Sequence, residues 1–202
     1  MQMGFYFNQD LCINCRTCVV ACKDWHDIPA GPVSFMRVAT VEKGKYPDVS
    51  VHSMVVTCYH CANPGCVSAC PVGAISKRDE DGVVIVDNSV CLGKDSCKLC
   101  LGACPYRAPQ FAAGDDARMV KCDLCLDRLI EKKKPICVEA CIMRALDVGP
   151  MEALRARYGG VSAAEGFVYR DDLAPSILCN PKRDAKGLAA YKTVVSPPMP
   201  RT

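Results

Sequence analysis

No stretch of this 202-residue chain approaches the roughly 20 continuous apolar residues that a membrane-spanning helix requires, and its longest apolar runs, residues 53–57 and 82–86, are short. The N-terminal MQMGFYFNQD has neither the basic region nor the apolar region of a secretion signal, so no signal peptide is expected. An excess of one charge is also missing. Lys and Arg number 25 against 22 Asp and Glu, and the net charge is +3. Apart from Lys132, Lys133 and Lys134, which read as a solvated turn, the basic residues are scattered among acids, so nothing points to nucleic acid. There is no glycine-rich nucleotide fingerprint and no Ser-His-Asp set. His26, His52 and His60 are not spaced as a metal group, and each reads as a surface or packed residue. No substrate chemistry is expected of this chain.

Cysteine, by contrast, is abundant, with seventeen residues in a chain long enough to build a hydrophobic core without covalent staples. A disulfide framework suits small secreted domains, and an odd count rich in C-x2-C pairs fits it poorly. Sixteen of the seventeen fall into four successive groups, a fourfold internal repeat. The first is Cys12, Cys15, Cys18 and Cys22, and the second Cys58, Cys61, Cys66 and Cys70. The third is Cys91, Cys97, Cys100 and Cys104, and the fourth Cys122, Cys125, Cys137 and Cys141. Cys179 stands alone and reads as a buried structural thiol, not a ligand.

Between groups one and two, β-branched residues over 34–42 and 51–57 predict a small strand insertion, with turns at Lys43-Gly44 and at Tyr46-Pro47-Asp48. Asp81-Gly82 followed by residues 83–86 predicts a turn and a strand leading into group three. Helices are predicted over 65–70 and 99–104, where x3 spacing puts two cysteines on one face and Pro71 or Pro105 follows. Residues 123–131, with Leu124, Leu126, Leu129 and Ile130, predict a helix against the core. Residues 150–158 predict another, with Pro at its start and Gly159-Gly160 at its end. Residues 161–202, rich in proline and without periodicity, predict an extended tail wrapping this chain or a partner.

A cubane iron-sulfur cluster needs one thiolate at each of four iron corners. Three cysteines at x2 spacing wrap a loop around three corners, and the fourth must come from elsewhere in the chain. In two-cluster ferredoxins the fourth cysteine of each run ligates the other cluster. Group one has that spacing, Cys-x2-Cys-x2-Cys-x3-Cys. Zinc ribbons also use C-x2-C pairs, but they have no use for a third cysteine at x2 followed by a fourth at x3. Group four, with eleven residues between Cys125 and Cys137, would be ambiguous alone but not beside the other three.

The runs CINCRTCVVACKDW, CYHCANPGCVSACPVGAI, VVIVDNSVCLGKDSCKLCLGACPYRAPQF and KCDLCLDRLIEKKKPICVEACIMRALDVGP resemble the iron-sulfur electron-transfer subunits of the dimethyl sulfoxide reductase family of molybdopterin oxidoreductases, over residues 3–155. The resemblance implies an α+β fold of two interleaved ferredoxin-like modules. One would combine residues 1–30 with 114–150, the other would span 53–113, and the strand insertion of 31–52 and a helix and extended tail over 151–202 would complete the chain. It implies four [4Fe-4S] clusters. Cluster 1 would take Cys12, Cys15, Cys18 and Cys141, and cluster 2 Cys58, Cys61, Cys66 and Cys104. Cluster 3 would take Cys91, Cys97, Cys100 and Cys70, and cluster 4 Cys122, Cys125, Cys137 and Cys22.

Two departures from the family pattern stand out. Cys91 and Cys97 are separated by x5 where x2 is usual. If the insertion bulges outward, cluster 3 is a cubane; if Cys91 does not reach, Lys94 takes the place of a thiolate and a [3Fe-4S] cluster results. The other departure is Ile142, where proline usually follows the last cysteine. Arg16, Lys98, Arg107 and Lys121 adjoin ligands in sequence, and either raise cluster potentials or face solvent.

The resemblance implies a heteromer with a large catalytic subunit holding a molybdenum or tungsten bis-pterin, near the cluster of Cys12, and a quinone-reactive membrane subunit at the other end. It also implies a peripheral membrane complex on the outward face, exported with the catalytic subunit, with a cytoplasmic placement as the alternative. The competing readings are a polyferredoxin subunit of a hydrogenase or formate-hydrogen lyase, and a redox-silent zinc-ribbon scaffold.

Overall fold

The computed structural model of the protein describes residues 1–114 and 116–182, so the part of the expected tail over 183–202 lies outside the described residues. The elements of the first half are β1 (Met3–Asn8), α1 (Thr17–Trp25), β2 (Arg37–Lys45), β3 (Asp48–Val56), α2 (Gly65–Ser68), β4 (Ile75–Lys77) and β5 (Val84–Val86). They are followed by α3 (Leu99–Ala103), β6 (Gln110–Phe111), β7 (Met119–Val120), α4 (Leu126–Ile130), α5 (Ile136–Glu139), β8 (Leu146–Pro150), α6 (Met151–Tyr158) and β9 (Ile177–Asn180). Short helices alternate with small, mostly antiparallel sheets, an α+β arrangement in which no helix is long and apolar enough to cross a membrane among the described residues.

β1 is the centre of a three-stranded sheet, antiparallel to β8 with Phe5 opposite Val148, and parallel to β9 with Phe5 opposite Ile177. Its alternate side chains serve different layers. Phe5 and Phe7 are fully buried in the main core, among the cysteines and Met54, whereas Tyr6 points the other way. Tyr6 stacks on Tyr158 of α6 with ring centroids 3.9 Å apart, beside Leu154 and Leu178. Both faces are covered, so the strand reads as continuously aromatic, the pattern of a strand buried on two sides. The N-terminal segment, where the sequence alone gives no strand signal, is thus the spine of the fold.

The insertion forms one continuous hairpin, β2 with β3, registered from Arg37 opposite Val56 to Lys45 opposite Asp48. Its turn is Tyr46-Pro47; the break expected at Lys43-Gly44 does not occur, and both residues belong to β2. Gly44 adopts φ 86° there, and any side chain at this position would run into the Asp48 carbonyl. The hairpin's base, Met54, Val55 and Val56, is buried and delivers Cys58 to the core. Higher up, Lys43 pairs with the buried Glu165 at 2.6 Å. Buried Gln9 donates to the carbonyls of Ser53 (3.0 Å) and Glu165 (2.9 Å), tying β1, the hairpin and the 161–180 segment together.

That segment is a strap. Phe167 packs on Tyr59 and Tyr106 with centroids 5.3 and 5.6 Å away, and the Tyr106 hydroxyl donates to the Val168 carbonyl at 3.2 Å. β9 then closes the sheet beside β1. α1 packs against α5, and α2 against α3. The helix expected over residues 123–131 is reduced to α4, because Leu124 (φ 66°) and Cys125 (φ 50°) are left-handed. Their backbone instead curls around the Cys122 sulfur, to which the Leu124 N–H donates at 3.3 Å. The helix over residues 150–158 is α6, entered at Pro150 and ended by Gly159 at φ 62°.

Candidate cluster sites

Each cysteine group opens with the same backbone device. Two residues after the first cysteine the backbone turns left-handed, at Asn14 (φ 59°), His60 (45°), Gly93 (85°) and Leu124 (66°). Only one of these is glycine; the others carry the cost of that conformation, about 1–2 kcal/mol for a residue with a Cβ. The reversal turns successive backbone N–H groups inward, making a concavity that attracts negative charge. A second device follows the closing cysteines. Gly73, Arg107 and Arg144, each three residues beyond Cys70, Cys104 and Cys141, are also left-handed. The N–H groups of Ala108 and Ala145 reach back to the sulfurs of Cys104 (3.5 Å) and Cys141 (3.3 Å).

The fold gathers the sixteen grouped cysteines into four sets. Cys12, Cys15, Cys18 and Cys141 line one cavity with Phe7 and Val55. Cys70, Cys91, Cys97 and Cys100 line another with Ile75 and Met119. Cys58, Cys66 and Cys104 surround Cys61 closely enough that their charges raise its pKa. Cys22, Cys122 and Cys125 act on Cys137 in the same way. Burial is the larger cause in each set. It pushes Cys18, Cys22, Cys61 and Cys66 up to about 12 and Cys100 and Cys125 to about 11, with like charge from neighbouring groups adding to the effect. Cys122 and Cys137 lie well above the ordinary thiol value for the same reasons.

None of the seventeen cysteines is in a disulfide. Four crowded thiols in an apolar pocket cannot all ionise unless a polycation sits among them, and binding one releases their protons. An iron-sulfide core, needing four thiolates and inward N–H donors for its sulfurs, fits such a set.

The widened group three is explained by a local turn. Residues 94–96 form a turn closed by the Cys97 N–H to the Gly93 carbonyl at 3.0 Å, and the Lys94 N–H anchors it to the Ala117 carbonyl at 2.9 Å. Cys91 remains in the cavity lining and Lys94 does not join it.

The sets follow one another. Cys18 and Cys22 lie on α1 in different sets, and Cys18 also acts on Cys137. Cys122 lies within electrostatic range of Cys58. α2 carries Cys66 and ends just before Cys70, and α3 carries Cys100 with Cys104 at its end. The resulting order is the Cys12 set, the Cys22 set, the Cys58 set and the Cys70 set.

Cys179 lies in β9, fully buried and opposite Phe7, with its backbone also bridged to Val161. Of the basic residues next to cysteines, Arg16, Lys98 and Arg107 are exposed and only Lys121 is buried. His52 and His60 are packed inside. His26 sits at the end of α1 with its Nε2 3.4 Å from the Cys125 sulfur and its ring 5.4 Å from that of Phe35. His26 and Cys125 lie 99 positions apart in sequence, so no local signal marks the pair.

Small hairpins, cysteine-bearing left-handed loops and short helices define a ferredoxin-like dicluster protein. Two family models described as a 4Fe-4S dicluster domain match the sequence, over residues 49–151 and 11–74. One polypeptide of the anaerobic dimethyl sulfoxide reductase of Escherichia coli is 39% identical over 193 residues, covering 92% of this chain and 91% of its own length. The polypeptide of the same name from Haemophilus influenzae is 38% identical over 194 residues, covering 92% of each. A subunit of the sulfite dehydrogenase of Allochromatium vinosum is 38% identical over 160 residues, 69% of this chain and 65% of its own. The protein belongs to the family of iron-sulfur electron-transfer subunits of dimethyl sulfoxide reductase-type complexes, the non-catalytic chains of molybdoenzymes.

Proposed function

We propose that this chain holds four [4Fe-4S] clusters in a row and relays electrons between a molybdopterin catalytic subunit and a second redox partner, a quinone-reactive membrane subunit. The observation that carries the reading is the grouping of sixteen cysteines into four contiguous sets of four. The proposed ligands are Cys12, Cys15, Cys18 and Cys141 for the first, and Cys22, Cys122, Cys125 and Cys137 for the second. The third takes Cys58, Cys61, Cys66 and Cys104, and the fourth Cys70, Cys91, Cys97 and Cys100. Cys179, fully buried within β9, lines neither cysteine cavity and is left outside the four sets as a structural thiol. Groups one and four form one module and groups two and three the other, an interleaving supported by the pairing of β1, just before group one, with β8, just after group four.

When bound, each cluster supplies a one-electron store at a potential set by its surroundings. The residues contribute apolar burial, inward N–H donors and the short spacing along α1, α2 and α3. The turn of residues 94–96 keeps Cys91 within its set, so the cluster of Cys70 is a cubane. Accordingly, the oxidised native protein is expected to show no three-iron EPR signal and Cys91→Ser to generate one; a three-iron signal in the unaltered protein would contradict this assignment.

His26 Nε2 lies 3.4 Å from the Cys125 sulfur, where an N–H on that nitrogen stabilises the reduced cluster. His26→Leu removes a net hydrogen bond of about 1 kcal/mol and lowers that potential by about 40 mV in a redox titration, leaving the other three unmoved.

The partner reading is supported by relatives named as polypeptides of dimethyl sulfoxide reductase and sulfite dehydrogenase. It is supported too by exposed apolar residues at both ends of the row. Ile13 (58% exposed) lines the Cys12 cavity and Ile142 (64%) follows Cys141, where the catalytic subunit docks, while Leu92 (46%) lines the Cys70 cavity and Leu99 (58%) precedes Cys100. The complex is placed on the outward membrane face, exported with its catalytic subunit. Anaerobic purification of the native complex tests this assembly. Molybdenum or tungsten in a larger copurifying polypeptide, in the outward membrane fraction, is the expected result, and a nickel-iron partner or an exclusively cytosolic pool would overturn it.

A further inference from the structure

Lys121 is unlike the other basic residues next to cysteines. It is 5% exposed, and its ammonium donates to the Cys122 carbonyl at 2.8 Å and to the Val84 carbonyl. Val84 belongs to β5, between cysteine groups two and three, whereas Lys121 immediately precedes group four. The side chain therefore crosses the seam between the two halves of the row. The N–H of the same residue, Val84, donates to His60 Nδ1 at 3.0 Å. With Nδ1 accepting, the ring carries its proton on Nε2 and is neutral. His60 thus adds no second positive charge.

A buried ammonium without a counter-charge is costly. Lys121 forms no ion pair with a carboxylate among the described residues. The negative groups beside it are cysteine sulfurs. It acts on Cys66, partly offsetting the rise that burial causes there, and Cys122 is its neighbour in sequence. Cys122 in turn faces Cys58 across the seam.

We propose that Lys121 is the fixed positive charge that raises the potentials of the two middle clusters, those of Cys22, Cys122, Cys125 and Cys137 and of Cys58, Cys61, Cys66 and Cys104. The inference rests on the four-cluster reading above. In a hop across the seam one electron leaves one cluster as one enters the other. No bond changes and no proton moves. Adding an electron adds negative charge, which a buried cation stabilises far more than the exposed Arg16, Lys98 and Arg107 can through screening solvent. Lys121 is a positioning and tuning residue, not a ligand.

The test is an EPR-monitored redox titration of the native complex carrying Lys121→Gln, Lys121→Met or Lys121→Arg, with iron counted in each. Glutamine keeps a hydrogen-bond donor without the charge, and arginine keeps the charge. Gln and Met are each expected to lower both middle potentials by a tenfold change in reduction equilibrium, about 59 mV for one electron, while the end clusters and the Arg variant stay as in the unaltered protein. Potentials unchanged in Lys121→Gln at full iron would overturn the inference. So would loss of iron from both Gln and Met variants, which would make Lys121 a clamp alone. The iron count of the unaltered protein judges the four-cluster reading separately: a low count there defeats that reading, whereas a full count with unmoved potentials defeats only the role of Lys121.

Discussion

Cys122→Ala is expected to stop electron flow between the two ends of the protein while leaving both ends loaded. Cys122 is buried at the seam, its sulfur held by the Leu124 N–H at 3.3 Å and placed beside Cys58. On the proposed ligand sets, its surroundings join the half built from groups one and four to the half built from groups two and three. Alanine removes a thiolate from a middle site and leaves Cys22, Cys125 and Cys137 buried without their fourth partner. Iron should fall from about sixteen to about twelve per chain, one cubane's worth, or to about fifteen if a three-iron remnant persists. In either case turnover driven by electrons entering at the far end collapses, while reduction by a small dye at the end cavities continues. Undiminished turnover with the cluster lost would mean that electrons do not pass through this set.

The second large effect concerns the scaffold. Gly4→Val is expected to unfold the sheet that backs the whole cysteine core. Gly4 lies in β1, opposite Gly149 of β8, and a Cβ there would collide with the Met151 sulfur of α6 and with the Ser176 carbonyl of the strap. The methionine can swing aside, but the strap backbone is fixed by the bond from the Phe5 N–H to that carbonyl at 2.9 Å. Overpacking of this kind costs about 1–3 kcal/mol, and valine adds two methyl groups where even one carbon does not fit. The loss is best read kinetically, because cluster loss makes unfolding irreversible. Visible absorbance should bleach about tenfold faster on mild heating for each 1.4 kcal/mol lost. Gly102→Ala in α3, where a Cβ meets nothing within 4 Å, is the control and should bleach no faster than the unaltered protein.

The fourfold cysteine repeat, the strand insertion and the α6 helix were legible because each depends on neighbours in sequence. Spacing, β-branched runs and Pro-Gly boundaries are local signals. What escaped depends on distant pairs. β1 showed no alternation because α6 covers the face opposite the core, so Phe5, Tyr6 and Phe7 are all apolar for different reasons. Residues 123–131 carried a helical pattern, but curling the backbone around the Cys122 sulfur overrode propensity at Leu124 and Cys125.

The cysteine groups that meet in space were suggested by the family resemblance, not by spacing, since the Cys12 set reaches 123 positions in sequence, from residue 18 to residue 141. His26 beside Cys125 and Lys121 against Val84 have no sequence signature, because both are set by packing between distant segments. The x5 interval in group three needed the backbone itself. Gly93 occupies the left-handed position shared with Asn14, His60 and Leu124, which assigns the extra length to residues 94–96 and leaves the first cysteine where it was.

The central claim, four cubane clusters in one polypeptide, is tested most directly by iron and acid-labile sulfide analysis of anaerobically purified protein, with EPR spin counting after reduction. The expected result is about sixteen irons and sixteen sulfides per chain, four of each per cubane, with interacting reduced-cluster signals. About eight irons, or zinc in place of iron, would contradict it.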